Sequence, residues 1–79
     1  MEISIKLWGN IGYYVPEGRG KFTLRMTFDD NKTVWEVVEG LGLPKDLTFL
    51  VSVNDRVIEN DCPLRNGDEV ALFTPNSGG

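Results

Sequence analysis

The sequence predicts an α+β two-layer domain: a mixed sheet of four to five strands with one short helix packed on one face. Two patterns point there. Residues 2–7 alternate apolar and polar side chains with a period of two, and that period returns in later segments. Between them, Val34, Val37, Val38 and Leu41 fall at i, i+3, i+4 and i+7, one face of a helix. A lone amphipathic stripe of that length can bury itself only against a sheet.

In the first strand Ile3, Ile5 and Leu7 point to one face, and Glu2, Ser4 and Lys6 to the other. Residues 9–20 are rich in glycine and contain Pro16, which predicts a long irregular loop. Tyr13 and Tyr14 lie in that loop, either packed over the open end of a hairpin or in a functional role, as long loops often have. Alternation resumes with Phe22, Leu24, Met26 and Phe28 inward, giving the second hairpin strand. Asp29-Asp30-Asn31 ends it.

Thr33 and Glu36 have the spacing of a capping box, with Thr33 as N-cap. Gly40 or Gly42 suits the left-handed position that closes a helix, and Pro44 bars continuation. The helix is about two turns long, too short to be stable without packing. Trp35 falls on its flank, half-buried. Phe49, Val51 and Val53 alternate with Leu50 and Ser52 in a third strand. Asn54-Asp55 is a tight turn leading into a short returning strand over residues 56–59. Residues 60–66 are irregular with Leu64 as core anchor, Asn66-Gly67 is a turn, and residues 69–74 form the last strand with Val70 and Leu72 inward.

Composition narrows the function. The chain has 79 residues, 25% of them charged, with a formal net charge of −4. That balance argues against nucleic acid, which needs clustered Lys and Arg; the loosest grouping here is Arg19, Lys21 and Arg25. An acidic domain is better matched to a basic patch on another protein. One cysteine, Cys62, allows no internal disulfide, and no run is long and apolar enough to span a membrane, so a cytoplasmic location is expected. With no histidine, the commonest general base and metal ligand is absent. Asp29-Asp30 and Asp68-Glu69 fit solvated turn residues, and Cys62 an inert thiol beside Pro63. No stand-alone catalyst, bound cofactor or metal site is expected.

The end of the chain is different. After the last strand come Phe73-Thr74-Pro75-Asn76-Ser77-Gly78-Gly79. Proline stops the strand, and two glycines without Cβ atoms can thread a slot closed to other residues. Four residues past Pro75 extend by roughly 13 Å, enough to reach a neighbouring protein's active site. The only chemical group at that tip is the Gly79 carboxylate. Taken alone, such an end is either a frayed terminus or a reactive one. Phe73, with Ala71, faces away from Val70 and Leu72, and is an apolar contact candidate together with Leu50.

The element order, the Asn54-Asp55-Arg56-Val57 turn, the Asn66-Gly67-Asp68-Glu69-Val70 lead-in and the terminal Phe-x-Pro run with its diglycine together resemble the ubiquitin-like β-grasp sulfur carriers. That family includes the small subunit of molybdopterin synthase and the sulfur carrier of thiamine synthesis. The Phe73-x-Pro75 run is most similar to the molybdopterin-synthase type, whereas the compact helix also resembles the thiamine carriers. The resemblance implies a β-grasp domain over residues 1–75 and a flexible diglycine tail over 76–79. It implies that an adenylating enzyme similar to ubiquitin-activating enzymes uses ATP to activate the Gly79 carboxylate, that sulfur then replaces AMP as a thiocarboxylate, and that the large catalytic subunit of molybdopterin synthase receives it. On that resemblance Gly79 would carry the sulfur, Gly78 would give access, and Phe73, Pro75 and Ser77 would contact the partner. A ubiquitin-like modifier, joined through Gly79 to a target lysine, starts from the same adenylation.

Overall fold

The computed structural model describes residues 1–15 and 22–75. The expected diglycine tail over 76–79 and part of the expected first loop, residues 16–21, lie outside that range.

The elements run β1 (Glu2–Leu7), α1 (Ile11–Tyr14), β2 (Thr23–Thr27), α2 (Val34–Gly40), β3 (Leu50–Val53), β4 (Arg56–Ile58) and β5 (Glu69–Phe73). The strands form one mixed sheet in the order β2-β1-β5-β3-β4. β1 and β2 pair antiparallel, β5 inserts parallel to β1, and β3 pairs antiparallel with both β5 and β4. This is the ubiquitin-like β-grasp arrangement.

Alternation along each strand sends one set of side chains into the core. Ile3, Ile5 and Leu7 of β1, Val70 and Leu72 of β5, and Val51 of β3 pack in one core with Val34 and Val37 of α2 and its C-cap Leu41, and with Leu64. Burying a Val, Ile or Leu side chain contributes about 1.5–3 kcal/mol, so this single layer supplies most of the stabilisation available to so small a chain.

The helix begins where its capping signal lies. The Glu36 N–H donates to Thr33 Oγ1 at 3.4 Å, and the Thr33 N–H donates to Glu36 Oε1 at 2.8 Å. Gly42 takes φ 75° just past the helix, the left-handed position expected there. In the β3–β4 turn Asn54 and Asp55 both have positive φ, 50° and 71°, the pair of angles a two-residue hairpin with native twist requires.

Four expectations need correcting. Residues 9–15 are not irregular: α1 forms there, and Ile11 and Val15, four positions apart, fill the core near the end of β1. Tyr13 and Tyr14, on the opposite side of that turn, remain exposed and do not pack over the hairpin. Phe22 is also 66% exposed, although its C=O accepts from the Leu7 N–H at 2.7 Å, just ahead of the first residue of β2. Asp68 is not a free turn residue. Its carboxylate accepts hydrogen bonds from the Arg65 N–H at 2.8 Å and Asn54 Nδ2 at 3.0 Å, joining the β3–β4 turn to the start of β5.

The neighbouring residues extend that clamp. The Glu2 N–H donates to Asn66 Oδ1 and the Gly67 N–H donates to the Glu2 C=O, both at 2.7 Å. Gly67 adopts φ 90°, where a side chain is strained. The Asn-Gly-Asp lead-in therefore fixes β5 between β1 and β3.

A further cap comes from outside the helix. Asp61 Oδ1 accepts hydrogen bonds from the Trp35 and Cys62 N–H groups, each at 2.9 Å. Desolvation acts to raise the Asp61 carboxyl pKa but is outweighed by hydrogen bonds from the Trp35 N–H, the Thr33 side chain and the Cys62 and Val34 N–H groups; the net shift is below the ordinary 3.8. A carboxyl whose folded pKa is depressed stabilises the fold above its unfolded pKa and loses that contribution as pH falls through the folded value. In Asp61→Asn, which keeps the accepting oxygen but not the charge, thermal melts should lose less stability than wild type as pH falls below the ordinary carboxylate value of 3.8. Identical acid slopes in the two proteins would contradict this role.

Candidate functional site

Parallel pairing of β1 and β5 brings the C-terminal ends of both strands to one end of the sheet. The Trp8 N–H donates there to the Leu72 C=O at 2.9 Å, locking the last turn of the core beside the strand that leads into the tail. β5 is the central strand, with neighbours on both sides. The chain end thus departs from a strand held on both sides.

Phe73 is the last residue of β5 and sits directly opposite Leu50 of β3. Both lie on the sheet face away from α2, as the alternation predicts. Phe73 is half-buried, Leu50 is exposed, and Pro75 is exposed two residues on. Gly78, Gly79 and Ser77, expected to carry and present the reactive group, lie outside the described residues.

The open face extends this apolar spot. Trp8 and Val57, both more than half exposed, join Ala71 and Phe73 around a shallow depression of about 260 Å³. Its polar side is formed by Lys6, Glu69 and Asp55. Lys6 Nζ lies 3.4 Å from Glu69 Oε1, an exposed pair worth about 0–1 kcal/mol, which leaves both charges free to exchange partners. Trp8 and Val57 were missed as members of this surface. The signal for Trp8 was present: it continues the outward parity of Ser4 and Lys6 by one step. Val57 is recognisable only through its pairing with Ser52.

The described residues contain no group of three or more Asp, Glu or Cys side chains arranged to hold a metal ion. Cys62 is partly buried with its N–H held by Asp61, and Asp61 itself is committed to the helix start. No helix among the described residues is long and apolar enough to cross a membrane. What the fold presents is an apolar, weakly charged face beside the root of the chain end.

Comparison with known proteins agrees with the architecture. The profile of the ThiS family matches residues 19–79. Among solved structures, SAMP1 from Haloferax volcanii superposes with a TM-score of 0.74 at 23% identity, over 100% of both chains. A chain from the complex of subunits 1 and 2 of the molybdopterin-converting factor of Helicobacter pylori 26695 superposes with a TM-score of 0.68 at 24% identity, again over 100% of both chains. No curated protein matches the sequence.

Proposed function

The chain belongs to the ThiS family of ubiquitin-like sulfur carriers, and we propose that it carries sulfur as a thiocarboxylate on Gly79 and donates it to molybdopterin synthesis as the small subunit of a two-subunit synthase. The observation that carries this reading is the Phe73-x-Pro75 run ending in Gly78-Gly79, directly past the central strand. Similarity of fold to a chain of the molybdopterin-converting factor complex supports a partner subunit.

The chemistry follows from the terminus. A carboxylate is a poor electrophile, so an adenylating partner uses ATP to convert the Gly79 carboxylate into an acyl-adenylate, releasing pyrophosphate. The outer sulfur of a donor persulfide attacks the carbonyl carbon and AMP leaves. A thiol on the activating system cleaves the acyl disulfide, and the thiocarboxylate remains on Gly79. The chain contributes no acid, base or nucleophile to these steps; it contributes a narrow tip and a docking face. Pro75 stiffens the root of the tail, and Ser77 precedes the diglycine as a polar contact. Phe73, with Leu50 and Trp8 beside it, holds the body against the large subunit while the tip enters the active site.

Reconstitution with the adenylating enzyme, ATP and a persulfide donor, followed by addition of the large subunit and the cyclic pterin precursor, tests the reading. Dithiolene formation dependent on the intact diglycine supports it. Sulfur delivered only to a thiamine-type acceptor would favour the thiamine carriers, which the compact seven-residue α2 also fits. Gly-Gly remnants on target lysines, without sulfur transfer, would favour a protein modifier.

Phe73→Ala provides a separate check. A contact of this kind costs about 2 kcal/mol or more on truncation, so affinity for the large subunit should fall by at least about tenfold. The melting temperature should drop by only a few degrees, because Phe73 is half-buried on the solvated face. Unchanged affinity would remove Phe73 from the interface.

A further inference from the structure

A second surface lies on the helix side of the sheet. Trp35 and Val38 of α2, Phe49 at the head of β3 and Ile58 of β4 line an open groove of about 530 Å³. Its rim carries Glu39 and Glu59, and no basic residue lines it. Neither carboxylate takes part in an ion pair among the described residues, where the only pairs are Lys6–Glu69 and Lys32–Asp30. The groove continues past Val38 and Phe49 toward the segment after α2, where Lys45 is its first positive charge.

Two features say what fits. The floor is apolar and concave, so it accepts one bulky aliphatic or aromatic side chain, and it accounts for Trp35 remaining 38% exposed on a helix that otherwise buries its apolar stripe. The rim is acidic, so a lysine or arginine on either side of that side chain meets an unpaired carboxylate. The groove also opens beside β4, an edge strand of three residues whose outer side pairs with no strand among the described residues. An extended segment lying there can hydrogen-bond to that edge while sending alternate side chains into the groove.

We propose that this groove receives an extended segment of a partner protein in which a bulky apolar residue is flanked by lysine or arginine. The groove takes no residue from β5 and meets the open face only at Leu50, so filling it requires no part of the terminal chemistry. The segment docks whether or not Gly79 is loaded, and of the open face it touches only Leu50.

An amide NMR titration with the synthetic peptide Lys-Arg-Thr-Val-Leu-Val-Thr-Arg-Lys tests it. Shifts should concentrate on Val38, Phe49, Ile58 and the Trp35 indole, with a Kd on the order of 100 μM. A peptide with glutamate at every basic position should bind at least about tenfold more weakly. Glu39→Lys combined with Glu59→Lys should weaken the basic peptide by about fivefold or more, and the milder Glu→Gln pair by less, with the dispersed spectrum of the folded domain retained. Deleting Gly78 and Gly79 should change nothing in this assay, which separates it from the sulfur-carrier reading. The proposal is overturned by an absence of shifts at about 1 mM peptide. It is equally overturned by equal binding of the acidic peptide, by insensitivity to both charge variants, or by shifts confined to the Trp8 and Phe73 face. Trp35 shifts that grow with protein concentration alone would assign the groove to a second copy of the chain instead.

Discussion

Removing Gly79 should abolish sulfur transfer and leave the folded domain intact. Deletion exposes the Gly78 carboxylate as the new terminus and retracts the reacting carbon by roughly 3.5 Å. A misplacement of even about 1 Å from a productive geometry can lower a rate by about a hundredfold, so a retraction of this size puts the reaction below detection. Gly79→Ala is the graded version. One added methyl in a closely fitted channel costs about 1–3 kcal/mol, or about 5- to 150-fold in transfer rate. Stability should not follow. The buried core is built from residues between Ile3 and Leu72, and β5 ends at Phe73, so neither change removes a described core contact. Equal melting temperatures with lost transfer are the expected pair of results. A fall in melting temperature beyond a few degrees would mean that the tail is part of the packed domain.

The opposite pattern is expected for Leu72→Ala. Leu72 is fully buried on the central strand, level with Leu7 of β1 on one side and Val51 of β3 on the other. Leu→Ala at such a site costs about 2–5 kcal/mol. A 79-residue domain has about 4–12 kcal/mol in total, so one truncation removes a large share of it. At about 4–8 °C per kcal/mol, the melting temperature should fall by at least about 10 °C. Leu50→Ala, one residue before Val51 but on the solvated face, should move it by only a few degrees. Similar losses in the two variants would mean that the sheet buries both faces.

Much of this was legible in the chain. Strict alternation fixed which side of β1 and β5 is core, and Thr33 with Glu36 fixed where α2 starts. What escaped was set by distant partners. α1 is a single turn interrupted by Gly12, and its only signal, Ile11 and Val15 at helical spacing, was masked by the surrounding glycines. Phe22 fits the alternation of β2 yet lies just before its first residue and stays exposed. Asp61 caps a helix whose capped residue is 26 positions earlier in the chain, and Asp68 bonds to Asn54 across the sheet. The insertion of β5 beside β1 follows from no local pattern at all. The apolar groove beside α2 is likewise assembled from three separate elements and has no signature in any one of them. The terminal run shows the reverse: Phe73 is placed by its strand, but the chemistry proposed for Gly79 rests on the sequence alone.

The most direct measurement is the intact mass of the protein isolated from its own host, with the terminal peptide fragmented. The account predicts a fraction of chains heavier by the replacement of one oxygen by sulfur, with the change on Gly79. A terminus bearing only an ordinary carboxylate, in cells actively making the sulfur-containing cofactor, would contradict it.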